Sequence, residues 1–159
     1  MHILKNILVP TDFSDYAHKA LRYAEEVAQR VGGTIHLLHV IEPIGNWSFA
    51  ADVQEQAFME AEEQLERLAK HLKNKGIAGR TAIERGHPEQ QIVKFAREHR
   101  IDTIVMGTQG RRTEEDFLVG STTERVLRVA PCPVLFVRFT EELSNGKDHA
   151  AQFSKAEYV

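Results

Sequence analysis

The chain has 159 residues, 42% apolar and 27% charged, with a net charge of −3. That suits one domain with a core of its own, and it excludes a basic surface built for nucleic acid or anionic membrane. The single cysteine, Cys132, excludes an intrachain disulfide. The apolar runs are too short to span a bilayer, and the stretch before the first strand has no signal-peptide core, so a cytoplasmic protein is expected.

Ile7-Leu8-Val9, closed by Pro10, reads as a buried strand. Thr11-Asp12-Phe13-Ser14 follows as a turn, with Ser14 placed to cap a helix and Asp15 in its first turn. Tyr16, Ala20, Tyr23, Ala24, Val27 and Ala28 recur at helical spacing, and Gly32-Gly33 stops that helix. Thr34 to Val40 is a second strand. A loop from Pro43 to Ser48 leads into a long amphipathic helix, about Phe49 to Lys73. Its apolar stripe is Val53, Ala57, Ala61, Leu65, Leu68 and Leu72, and Gly76 is placed to end it. Trp47 and Phe49 are read as packing under this helix rather than lining a pocket edge.

Arg80 to Glu84 alternates as a third strand would. Pro88 sits at a favoured first-turn position of the next helix, whose inner face is read as Ile92, Val93, Ala96 and His99. Thr103 to Met106 is the fourth strand. A short helix, about Thr122 to Val129, and a fifth strand, Val134 to Val137, complete the pattern. Strands alternating with helices imply a single α/β domain, an open twisted parallel sheet with helices on both faces. Ligands in such sheets sit beyond the carboxyl ends of the strands, at the switch point. If strands one and four are neighbours, the loops after them meet there.

The loop after strand four is the most distinctive stretch. Met106-Gly107-Thr108-Gln109-Gly110 is followed by nine residues and then by Gly120-Ser121-Thr122-Thr123-Glu124. Gly110 and Gly120 allow the backbone to approach a ligand closely. Ser121 with Glu124 reads as a capping box, which places a helix start and its N–H donors at the loop, an arrangement that favours phosphate. Ser121, Thr122 and Thr123 add hydroxyls, and Arg111 and Arg112 add positive charge. Glu114, Glu115 and Asp116 are expected to face solvent. The stretch is neither a P-loop nor a dinucleotide fingerprint. The plainer alternative is a strand-to-helix turn whose glycines only relieve strain.

Asp12, at the end of strand one, is placed to accept from a ribose hydroxyl or to help seat a metal near phosphates; spacing alone favours a turn or cap residue. His36 and His39 lie three apart on a strand and point to opposite faces, so they do not chelate together. No metal site and no Ser-His-Asp arrangement follow from the spacing.

Taken together, these motifs resemble the universal stress protein family. The resemblance is carried by Asn6 to Ser14, Leu37-Leu38-His39-Val40, Gly86-His87-Pro88, Asp102 to Gly107, the glycine motif at Gly107, Gly110, Gly120 and Ser121, and Glu124 to Val137. It covers about residues 3 to 139, so a domain over 1–139 with a polar tail over 140–159 is expected. It implies a five-stranded parallel sheet in the order 3-2-1-4-5 and a homodimer paired through strand 134–137. Members with the complete motif typically bind ATP. The resemblance implies Pro10, Thr11 and Asp12 by the adenosine and the Val40 backbone on the adenine. Met106, Gly107, Gly110, Arg111, Gly120, Ser121, Thr122 and Thr123 would then line the ribose and phosphates, with Mg2+ or Mn2+ held through the phosphates as an option. The expectation is an ATP-binding (adenine nucleotide-binding) regulatory or stress-response homodimer. The alternatives are a slow ATP hydrolase and a dimeric interaction module that binds no nucleotide.

Overall fold

The computed structural model describes residues 4–45, 48–109 and 119–138. In chain order they form β1 (Asn6–Pro10), α1 (Asp15–Val31), β2 (Thr34–Ile41), α2 (Ala50–Asn74), β3 (Ala78–Arg85), α3 (Pro88–Glu98), β4 (Thr103–Gly107), α4 (Ser121–Val129) and β5 (Val134–Val137). The strands make one parallel sheet in the order β3-β2-β1-β4-β5, as expected. Trp47 and the 140–159 segment lie outside the described residues.

The period-2 alternation of the strands assigns the two faces. Ile7, Val9, Ile35, Leu37 and Val105 pack against Ala20, Leu21, Ala24 and Ala28 of α1 and Leu65, Leu68 and Leu72 of α2. Leu8, Leu38, Ile104 and Met106 turn the other way, onto Ile92, Phe95 and Ala96 of α3 and Val126 of α4. Local chemistry sets the helix ends. The Ser14 hydroxyl accepts the Ala17 N–H at 3.2 Å, and Gly32 closes α1 in the left-handed conformation at φ 67°. Gly76 does the same after α2 at φ 72°.

Two expected faces differ. In α2 only Ala61, Leu65, Leu68 and Leu72 are buried. Phe49 and Val53 are exposed, because the N-terminal half of this long helix has little core beneath it. In α3 the fourth inward residue is Phe95, not His99. His99 is the exposed C-cap, and its ring stacks on Phe95 with centroids 3.7 Å apart.

A buried carboxylate ties α1 to α2. Glu25 is 3% exposed; His71 Nε2 lies 3.0 Å from one of its oxygens and Lys75 Nζ donates to the other at 2.6 Å. Among the described residues no helix is long and apolar enough to cross a membrane.

His36 is buried on β2, with Nε2 3.1 Å from Asn6 Oδ1. Burial first, then Arg80 and His99, hold its pKa below the ordinary imidazole value. Its neutral form is therefore favoured by folding. That stability is fully present above about pH 6.5, where the unfolded imidazole is also neutral, and is lost as the pH falls toward the lowered folded value. His18 shifts in the same direction through burial, against the pull of Asp15 and Asp12. The urea midpoint should fall between pH 7 and pH 5, and fall less steeply in His36→Gln, which keeps a nitrogen near the Nε2 position but does not titrate. Equal slopes in the two proteins would refute this account.

Candidate functional site

β1 and β4 are neighbours, with Ile7 opposite Thr103 and Leu8 opposite Ile104. From β1 the chain fills β2 and β3 on one side, then returns to lay β4 on the other. The chain thus reverses direction between β1 and β4, the switch point of such a sheet, and it is beyond the carboxyl ends of the strands at this point that such folds form their crevice.

On the β1 side, Pro10 is half-buried at the strand end. Thr11 is buried, and its groups hold the turn: its N–H donates to Leu38 O at 2.8 Å, its hydroxyl accepts Phe13 N–H at 3.0 Å, and its carbonyl lies 2.8 Å from His39 Nδ1. Asp12 Oδ1 accepts Ser14 N–H at 3.0 Å. The turn role expected of Asp12 is thus present, in a half-buried residue at the crevice. Phe13 is left-handed at φ 62°, a conformation that costs a non-glycine residue about 1–3 kcal/mol.

Val40 lies where β2 outruns β1. The last pair between these strands is Pro10 opposite Leu38, and Leu38 O faces β1 to accept Thr11 N–H. Backbone groups two residues apart on a strand face the same way, so those of Val40 face the crevice. Ile41 O faces the opposite edge, where it accepts Gly86 N–H at 3.0 Å.

On the β4 side, Met106 is buried in the core between the sheet and α3/α4. Gly107 owes its identity to a helix rather than to an open loop: an added Cβ would lie 3.0 Å from Tyr16 O and 3.1 Å from Tyr16 Cβ. The first turn of α1 thus packs directly on the end of β4. Gly110 and Arg111, with Arg112, Glu114, Glu115 and Asp116, lie outside the described residues.

The capping box does not form. Gly120, not Ser121, is the N-cap of α4, at φ −60° and ψ 150°, and no side chain caps the helix. Gly120 N–H donates to Thr108 O at 2.7 Å, and Thr108 N–H to Val137 O at 3.3 Å, which fixes the helix start beside β4. Thr123 is buried, and its hydroxyl donates to Gly107 O at 3.1 Å. Ser121, Thr122 and Thr123 are the first three helical residues, so their N–H groups have no intrahelical acceptor. Such groups, at the positive end of a helix dipole, suit an anion.

The histidines on β2 take separate roles: His36 bonds Asn6 and His39 bonds Thr11. Among the described residues no three His, Cys, Asp or Glu side chains are grouped to hold a metal. Burial, aided by Asp102, pushes the Cys132 thiol up and away from reactivity.

The model of the Universal stress protein family matches residues 4–138. This chain belongs to that family. The universal stress protein MJ0577 of Methanocaldococcus jannaschii is 31% identical over 153 residues, covering 84% of this chain and 94% of the relative; its structure superposes with a TM-score of 0.80 over 87% of this chain and 99% of that one. Universal stress protein UspA from Lactobacillus plantarum, 28% identical, superposes equally well at 0.80, over 87% and 100% of the two chains. A universal stress protein from Archaeoglobus fulgidus, solved in complex with dAMP, is 28% identical with a TM-score of 0.65 over 86% and 100%.

In this universal stress protein the residues that sequence reading missed are Phe13, Tyr16 and His39. An aromatic residue gives no local signal for a left-handed backbone, and the approach of Tyr16 to Gly107 spans most of the chain. Gly107→Ala should destabilise the protein by about 1–3 kcal/mol, because α1 must move to admit a methyl group. Urea denaturation would read this as a lower midpoint at unchanged slope; an unchanged midpoint would mean that α1 does not lean on this glycine.

Proposed function

We propose that this universal stress protein binds an adenine nucleotide, ATP being the expected form, in the crevice between the ends of β1 and β4. The observation that carries the reading is the helix start beside β4, whose first N–H groups have no acceptor within the helix, on the far side of the switch point from the Asp12 carboxylate at the end of β1. The N–H groups of Ser121, Thr122 and Thr123 suit phosphate oxygens, and the Asp12 carboxylate suits ribose hydroxyls. The outward backbone of Val40 offers the donor and acceptor that an adenine edge needs. Pro10, Thr11, Met106 and Gly107 would shape the walls, Gly120 would admit the phosphates, and Gly110 and Arg111 would belong to the same loop. The dAMP complex of the Archaeoglobus fulgidus relative supports an adenine nucleotide as the ligand class. Mg2+ or Mn2+ would be held through the phosphates. No residue is assigned as general base, so turnover should be slow beside binding.

The same reading includes a homodimer through β5. This strand is an edge of the sheet, and Leu135 on it is exposed, as are Leu127 and Val129 of α4. An apolar edge strand is a template for pairing with another chain.

Mass spectrometry of the supernatant after denaturation should identify a released adenine nucleotide, and calorimetry should show heat with ATP and Mg2+. Neither signal, with ATP, AMP or a cyclic nucleotide, would sink the reading. ADP formed in proportion to protein, and abolished by Asp12→Ala, would instead favour the hydrolase. Gly120→Val should weaken binding about tenfold or more with an unchanged circular dichroism spectrum, since φ −60° and ψ 150° admit a branched residue. Leu135→Lys should shift the sedimentation coefficient from dimer to monomer; an unaltered dimer would remove β5 from the interface.

A further inference from the structure

Phe13 holds a left-handed backbone at φ 62° one residue after Asp12, and something must hold it there. Two local bonds shape the turn, from Phe13 N–H to Thr11 Oγ1 at 3.0 Å and from Ser14 N–H to Asp12 Oδ1 at 3.0 Å. Both are short-range bonds of a kind that many turns make without a left-handed aromatic residue. The third contact comes from another strand. His39 of β2 meets the turn twice, with Nδ1 2.8 Å from Thr11 O and its ring stacked on the Phe13 ring at 4.6 Å and 29°. The next residue on β2 is Val40, whose backbone faces the crevice.

We propose that the His39–Phe13 pair is the positioning clamp of the nucleotide site: without touching the nucleotide, it fixes the strained turn that presents Asp12 and ties that turn to the β2 end that presents Val40. This rests on the adenine-nucleotide reading of the crevice. A carbonyl only accepts, so His39 Nδ1 carries the proton and donates to Thr11. The same ring is a flat partner for Phe13, which rewards the left-handed conformation that would bring the aromatic ring beneath it. Nucleotide affinity then depends on how fully this one conformation is populated before binding.

The test uses the full chain, with ATP–Mg2+ affinity by calorimetry and amide hydrogen exchange at Phe13 and Ser14 in the absence of nucleotide. His39→Ala should weaken binding about tenfold, the size of one lost hydrogen bond with its packing, and should speed exchange at both amides. His39→Asn, whose side-chain nitrogen can take the place of Nδ1, should recover part of both. Phe13→Ala keeps the backbone strain but loses the ring, whereas Phe13→Gly loses the ring and the strain together. The clamp predicts that Phe13→Ala, which keeps the strain without the stacking partner, binds more weakly than both Phe13→Gly and the unaltered protein; unchanged affinity in Phe13→Ala would overturn the proposal. Normal affinity in His39→Ala would also overturn it while leaving the nucleotide reading intact. If the unaltered protein binds neither ATP nor AMP, the nucleotide reading and the clamp's role in it fall together. The exchange data then still report whether the turn is held.

Discussion

Ile7, Leu8 and Val9 have no exposure to water at all, and the rest of the molecule is arranged to keep it so. Covering a strand on both faces requires helices above and below, and covering its two edges requires a strand on each side. Ile7 and Val9 send one core toward α1 and α2; Leu8 sends the other toward α3 and α4. Each such side chain contributes about 1.5–3 kcal/mol when fully buried, so this short run anchors both layers. A central first strand also forces the chain to build outward in one direction and then in the other. The crevice between β1 and β4 is the geometric result of burying β1.

Much of this was legible in the residues because its causes are local. The Ser14 cap, the left-handed Gly32 and Gly76, and Pro88 at the start of α3 each act within a few positions of their own place in the chain. Apolar periodicity was enough to recover the order of elements, and the family resemblance supplied the strand order that periodicity does not contain. What escaped has causes at a distance. Phe95 rather than His99 turns inward because α3 ends one residue before His99. The stripe on α2 continues to Val53, yet burial stops at Ala61, since a helix of 25 residues outreaches the strands it covers. Ser121 matches a capping motif, but Gly120 takes the cap because Thr108 O captures its N–H.

The polar groups around the crevice divide into those that hold the protein and those that face outward. Hydroxyls that look like ligand donors in sequence are largely structural: Thr11 accepts from Phe13, and Thr123 donates to Gly107. The outward-facing groups are mostly backbone, namely the first turn of α4 and the end of β2. On the nucleotide reading proposed above, a site made of main chain would constrain shape more than side-chain identity, and its motif would be written in glycines and small residues, where a bulky side chain would block the approach.

Glu25 has a bearing on how this lineage can vary. Replacing a buried ion pair with apolar residues is often neutral or stabilising, whereas removing one partner is strongly destabilising. Glu25 with His71 and Lys75 therefore acts less as a source of stability than as an index mark, penalising any placement of α2 one turn out of step with α1. With the C-terminal half of α2 held in register, its N-terminal residues are left outside the core, Phe49 and Val53 being exposed, so a change of side chain there disturbs the sheet least.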